Sequence, residues 1–132
     1  MRVLLRLVAA ALLGAMGAPS AAQTPTVEDA VKTSPQYYTI LFENDKVRVF
    51  EYRLPPGQVE QMHFHPEGVI RFLSDATVRV TLEDGSKSIA SSTNGDVQWR
   101  DHTIHAIENI SETDAVAFVV ETKSAAESMD SS

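Results

Sequence analysis

From Tyr37 onward the chain falls into short segments rich in Val, Ile, Thr and aromatic residues: "YYTILFE", "KVRVFEYRL", "QVEQMHF", "GVIRFLS", "TVRVTLE", "SKSIAS", "DVQWR", "HAIENI" and "AVAFVVET". Such side chains suit a pleated, half-buried surface, and their recurrence at this spacing reads as strands. The intervals between segments are too short for the helical crossovers that parallel strands need, so the strands must run antiparallel. A closed barrel or a pair of packed sheets hides their edges. Turn chemistry stands where such a sheet requires it, at Asn44-Asp45, Pro56-Gly57, Asp84-Gly85 and Asn94-Gly95, with Asp84-Gly85 as a tight hairpin turn.

The ends of the chain read differently. Residues 1–22, "MRVLLRLVAAALLGAMGAPSAA", combine Arg2 and Arg6, an apolar run and small residues Ser20 and Ala22, the pattern of a cleaved export signal. The apolar run from Leu7 to Ala18 is about a dozen residues, short of the about 20 that span a bilayer. Residues 23–36 form a leader in which Thr26 caps a short helix, with Glu28 and Asp29 in its first turn and Pro35 beyond its end. Residues 37–122 are the β domain, and residues 123–132 are a small, polar, flexible tail. The expected location is the periplasm or the exterior, with no membrane association after cleavage.

About 110 mature residues suit one domain with one modest core. The chain has no cysteine, which excludes disulfides, thiolate metal sites and cysteine nucleophiles. Its formal net charge is −7, and −9 once Arg2 and Arg6 leave with the signal. Nucleic acid is not an expected partner, because phosphate binding needs clustered Lys and Arg.

All 4 histidines fall in two short stretches, "HFHP" and "DHTIHAIEN". Alternation along a strand puts His63 and His65 on one face and Phe64 on the other. Strict alternation adds Val59 and Gln61 to the histidine face and sends Glu60 and Met62 to the opposite one, so Gln61 is expected in the pocket. His102 and His105 follow about 40 residues later, far enough for an antiparallel strand to return beside the first. A lone histidine in a β domain is usually a surface or hydrogen-bonded residue. A pair on one face with a third on an adjacent strand points to a metal ion.

"PGQVEQMHFHP" and "NGDVQWRDHTIHAIEN" resemble the two motifs of the cupin superfamily. Gly57 precedes His63 by the family spacing, His65 completes the pair, Gly95 opens the second motif and His105 with Asn109 closes it. The resemblance covers about Val47 to Val120. It implies an all-β antiparallel barrel, or jelly roll, with His63, His65 and His105 as ligands to one divalent transition metal: Fe, Mn, Zn, Ni or Cu. It also implies that a homodimer is possible. The family glutamate is missing, since Val69 and Ile70 stand in its place, and Asp101 and Thr103 replace the proline and glycine of the second motif.

Cupins that use three histidines without the glutamate include iron dioxygenases that cleave diketones and oxidise thiols. A shell of neutral ligands leaves coordination positions open and favours a small anionic substrate. The implied function is dioxygenase-, isomerase- or lyase-type chemistry on a small organic acid, carbonyl or thiol compound. A non-catalytic metal or small-ligand binding protein is the other reading, because fold does not decide between them. The candidate catalytic residues are Gln61, as a hydrogen-bonding group in the pocket, Glu67, as a base or carboxylate ligand at the barrel mouth, and His102, as a base or fourth ligand. Exposure is the plainer role for Glu67 and His102. Trp99 and Phe72 are expected in the apolar core, Arg71 and Arg100 at the surface, and Asn109 at a strand end or turn.

Overall fold

The computed structural model describes residues 26–124, together with Gly14 and Gly17. The expected export signal, and the expected tail from residue 125, lie outside the described residues. Among the described residues nine strands follow one short α-helix and a 3-10 turn at Pro35–Tyr37: β1 (Tyr38–Glu43), β2 (Val47–Leu54), β3 (Val59–His65), β4 (Gly68–Phe72), β5 (Ala76–Leu82), β6 (Lys87–Ser92), β7 (Val97–Arg100), β8 (Thr103–Asn109) and β9 (Ala115–Thr122). They form a five-stranded sheet in the order β1-β2-β9-β4-β7 and a four-stranded sheet in the order β3-β8-β5-β6. All strand pairs are antiparallel. These are the two antiparallel sheets expected from the strand spacing, arranged as the jelly roll that the cupin resemblance implies.

The inner faces follow the period of two. On β9, Ala115, Ala117, Val119 and Glu121 are buried, while Phe118 points out. On β2, Phe50 and Leu54 enter the core that Tyr38 and Val119 complete. Gly57 takes φ +75° in the turn before β3, a left-handed conformation that glycine adopts without steric cost, and its N–H donates to the Asn109 carbonyl at 2.9 Å. Gly68, at the start of β4, lies so close to β9 that a Cβ there would run into the Val120 carbonyl oxygen.

Asn109 holds the end of β8, as expected. Its buried amide donates to the Leu54 and Thr113 carbonyls at 2.9 and 2.8 Å, and its oxygen accepts from the Ser111 N–H and hydroxyl. The leader departs from expectation. Helix α1 spans Ala30–Thr33, and its cap is Asp29, not Thr26. The residues before it run alongside β3: the Phe64 N–H donates to the Glu28 carbonyl at 2.9 Å, and Asp29 forms a parallel bridge with Phe64. Backbone engaged in that pairing cannot also form the first helical turn. Among the described residues no helix is long and apolar enough to cross a membrane.

Candidate metal centre

Strands β3 and β8 bring the histidines together. His63 stands opposite His105, Phe64 opposite Ile104 and His65 opposite Thr103, whereas Glu60 stands opposite Ile107. Three steps on β3 therefore match two on β8, which is a β-bulge between Glu60 and His63. The extra residue reverses the alternation upstream of His63. Glu60 turns inward and is 1% exposed, while Val59 and Gln61 face solvent. Gln61 is thus not a pocket residue, contrary to strict alternation. Its main-chain carbonyl instead accepts from His63 Nδ1 at 2.6 Å.

That contact assigns the tautomer: with Nδ1 carrying the proton, the lone pair of His63 is on Nε2. Nε2 is buried and has no hydrogen-bond partner. An orphaned acceptor of this kind is costly unless something binds it. Around it the ring centroids of His63, His65 and His105 lie 4.6, 4.8 and 5.4 Å apart, and the rings meet edge to face. One nitrogen from each ring falls within 4.8 Å of the others. His65 Nδ1 donates to Glu121 Oε2 at 2.8 Å, which leaves the lone pair of that ring on Nε2. Burial, with Arg100 nearby, pushes His65 down to about 2. Burial and the neighbouring histidines push His105 down to about 3. Burial also lowers His63. All three are neutral at physiological pH, the state that a metal ligand requires, so the residues fit a metal ion.

Behind the cluster lies a chain of ion pairs. Glu121, itself buried, accepts from His65 and from Arg100 at 2.8 Å each through Oε2, and from Arg48 at 2.6 Å through Oε1. Arg48 grips Asp29 of the leader with two further hydrogen bonds of 3.0 and 2.8 Å. A carboxylate on the far nitrogen of a ligating histidine fixes its tautomer and orientation. Glu60 lies beside His63, its Oε1 3.3 Å from the Nδ1 of that ring, and its oxygens accept from the Tyr38 and Tyr52 hydroxyls. Burial pushes it up to about 7, against those hydrogen bonds and Arg100.

Arg100 and Trp99 exchange their expected places. On β7 the inward residues are Gln98 and Arg100, so Trp99 is 54% exposed and donates to Asp101 at 3.0 Å, while Arg100 enters the interior. Glu67 is exposed, and only its main-chain carbonyl is used, by Thr122. His102 is also exposed, its ring 4.6 Å from Phe64 on the outer side of β3. Neither residue joins the histidine cluster. Val69 points outward and Ile70 inward, so no carboxylate occupies the place of the family glutamate. Glu121 and Arg48 were legible by alternation, Glu121 with Ala117 and Val119, Arg48 with Phe50 and Tyr52; Glu60 was not, because nothing local announces the bulge.

Between the sheets, next to His65 and His105, is a cavity of about 370 Å³ that Glu60, Arg100, Phe72 and Ile107 help to line. A space of this size is within the usual range for small-molecule sites.

No family model and no curated protein matches the chain. Among solved structures it is similar to a cupin domain from Bordetella pertussis, at 26% identity over 66% of this chain and 92% of that one, with a TM-score of 0.61. It is also similar to an RmlC-like cupin family protein with a double-stranded β-helix fold from Methanocaldococcus jannaschii, at 18% identity over 70% of this chain and 82% of that one, with a TM-score of 0.53. A cupin superfamily protein from Desulfitobacterium hafniense shares 16% identity over 66% and 76% of the two chains, with a TM-score of 0.50. The last two likenesses concern the fold alone; the Bordetella domain and the two motifs make this chain a member of the cupin superfamily.

Proposed function

We propose that this chain is an exported mononuclear metal cupin that acts on a small anionic organic compound, an acid, a carbonyl compound as its enolate or a thiol as its thiolate, by dioxygenase-, isomerase- or lyase-type chemistry. The observation that carries the proposal is His63 Nε2, buried without a partner and surrounded by two more neutral imidazoles. His63, His65 and His105 would hold the ion. A bound divalent ion supplies Lewis acidity to whatever oxygen or sulfur atom reaches its open positions.

The chain's own residues set the rest. The Gln61 carbonyl and Glu121 hold His63 and His65 in the tautomers that present Nε2 inward. Asp29 and Glu121 are balanced by Arg48 and Arg100, and the three ligands are neutral. The positive charge of an ion is therefore not cancelled by its ligands, which favours an anionic guest. The adjoining cavity is walled mostly by apolar side chains, a low-dielectric surrounding that strengthens that attraction. Export rests on the pattern of residues 1–22.

The test is elemental analysis of protein recovered from its own compartment, followed by oxygen-uptake and product screens against small diketones, thiols and hydroxy acids. A metal-dependent turnover that His63→Ala abolishes supports the enzyme. Stoichiometric metal with no turnover of any such compound, with or without oxygen, would instead leave a binding protein.

A further inference from the structure

The cavity beside the histidines is polar at one end and apolar at the other, and the strand register says which end is which. Along β8 the neighbours on β5 change from Leu82 beside His105 to Val80 beside Ile107. On the facing sheet Gly68 lies between Arg100 and Glu121, and two and four residues further along β4 come Ile70 beside Val119 and Phe72 beside Ala117. Moving away from the histidines, the wall therefore becomes Ile70, Phe72, Val78 and Ile107. Of the polar groups that remain along it, Tyr38 and Tyr52 both donate to Glu60, the Ser92 hydroxyl donates to the Ser74 carbonyl at 3.1 Å, and Gln98, beside Ile70, adds an uncharged amide.

Arg100 stands at the histidine end with its side chain only 15% exposed. One of its terminal nitrogens serves Glu121. Its Nε is buried and has no partner. A buried guanidinium N–H without an acceptor is expensive, and a carboxylate is the group whose geometry suits it best. A second negative charge carried further into the cavity would be desolvated against Phe72, Val78 and Ile107, where the lining offers the Gln98 amide but no cation to pair it.

The volume is ample. Engineered apolar cavities of about 150 Å³ take up benzene, and this one, at about 370 Å³, has room for a head group and a ring or short chain.

We propose, on the reading that the histidines hold a metal, that the site takes an apolar monocarboxylate: an aliphatic or single-ring organic acid whose carboxylate meets Arg100 at the histidine end and whose hydrocarbon part lies along Ile70, Phe72, Val78 and Ile107. Arg100 is then the residue that selects an acid, and the apolar wall is what rejects dicarboxylates and sugar acids.

The experiment is calorimetric titration of the metal-loaded full chain with phenylacetate, succinate and 2-phenylethanol, with metal content measured on the same samples. Phenylacetate is expected to bind at least about tenfold more tightly than either of the others. Arg100→Gln should bring phenylacetate down to the level of 2-phenylethanol, with affinity referred to metal-loaded protein. Equal affinity for succinate, or an undiminished phenylacetate affinity in Arg100→Gln, overturns the inference while leaving the metal site standing. Absence of metal from the wild-type protein overturns the metal reading, and the inference falls with it. Should Arg100→Gln not fold, the methyl resonances of Ile70, Val78 and Ile107 in the wild-type protein decide: shifts with phenylacetate but not with succinate support the proposal, and no shifts with phenylacetate refute it.

Discussion

Glu121 Oε2 lies 2.8 Å from His65 Nδ1, so the last core strand holds one histidine of the candidate metal centre in place. The carboxylate does this while paired with Arg48 and Arg100, and it links the leader to the metal centre through Asp29. Glu121→Gln keeps an acceptor for the imidazole N–H but gives up the charge. Metal affinity in a competition titration is expected to fall about 10- to 100-fold. Glu121→Ala should also lose about 3–5 kcal/mol of stability in urea denaturation, because it leaves the largely buried Arg100 without its ion-pair partner and Arg48 with Asp29 alone.

Metal-free protein should lose stability as pH falls below about 6.5, the ordinary histidine value. His65 and His105 are held near 2 and 3 in the fold, and His63 is lowered too. In that range the unfolded chain binds protons that the native chain refuses, and stability falls with acidification. Glu60 acts in the opposite sense. Its value rises from 4.5 to about 7, so the stability it contributes is present in acid and lost as pH climbs through that window. Burial raises Glu121 as well, which adds to the same opposing effect. Urea midpoints measured with chelator present should therefore drop between pH 7 and 5, and drop more steeply in Glu60→Gln. An equal or shallower slope in that variant would contradict the account.

Ile70 lines the cavity and Val69 faces solvent. Ile70→Glu should consequently supply the carboxylate that this chain lacks and raise affinity for manganese, which prefers oxygen ligands, by about tenfold. Val69→Glu should leave it unchanged. Parallel manganese and zinc titrations of the two variants check this, and equal behaviour of the pair would mean that the site does not reach β4.

How far the residues themselves announced this structure differs from strand to strand. The nine segments and their turns were legible because alternation and turn chemistry are local signals. The spacing allowed the strand of His105 to return beside that of His63, and the cupin resemblance, not the spacing, implied that these histidines meet, as they do. The facing of Glu60 and Gln61 was not legible, since a bulge is decided by how β3 pairs with β8 and leaves no mark in "QVEQMHF". Arg100 and Trp99 misled for another reason. Composition favours tryptophan inside and arginine outside, but Glu121 provides the buried charge with which Arg100 pairs. The helix start was misplaced because the pairing of Glu28 and Asp29 with Phe64 is a tertiary contact.

The central claim is that His63, His65 and His105 together hold one ion while His102, on the outer side of β3, does not. Metal stoichiometry in purified wild-type, His105→Ala and His102→Ala proteins, each equilibrated with the same ion and desalted, tests it most directly. One equivalent in the wild type and in His102→Ala, with none in His105→Ala, is the predicted result. Full occupancy in His105→Ala would contradict it.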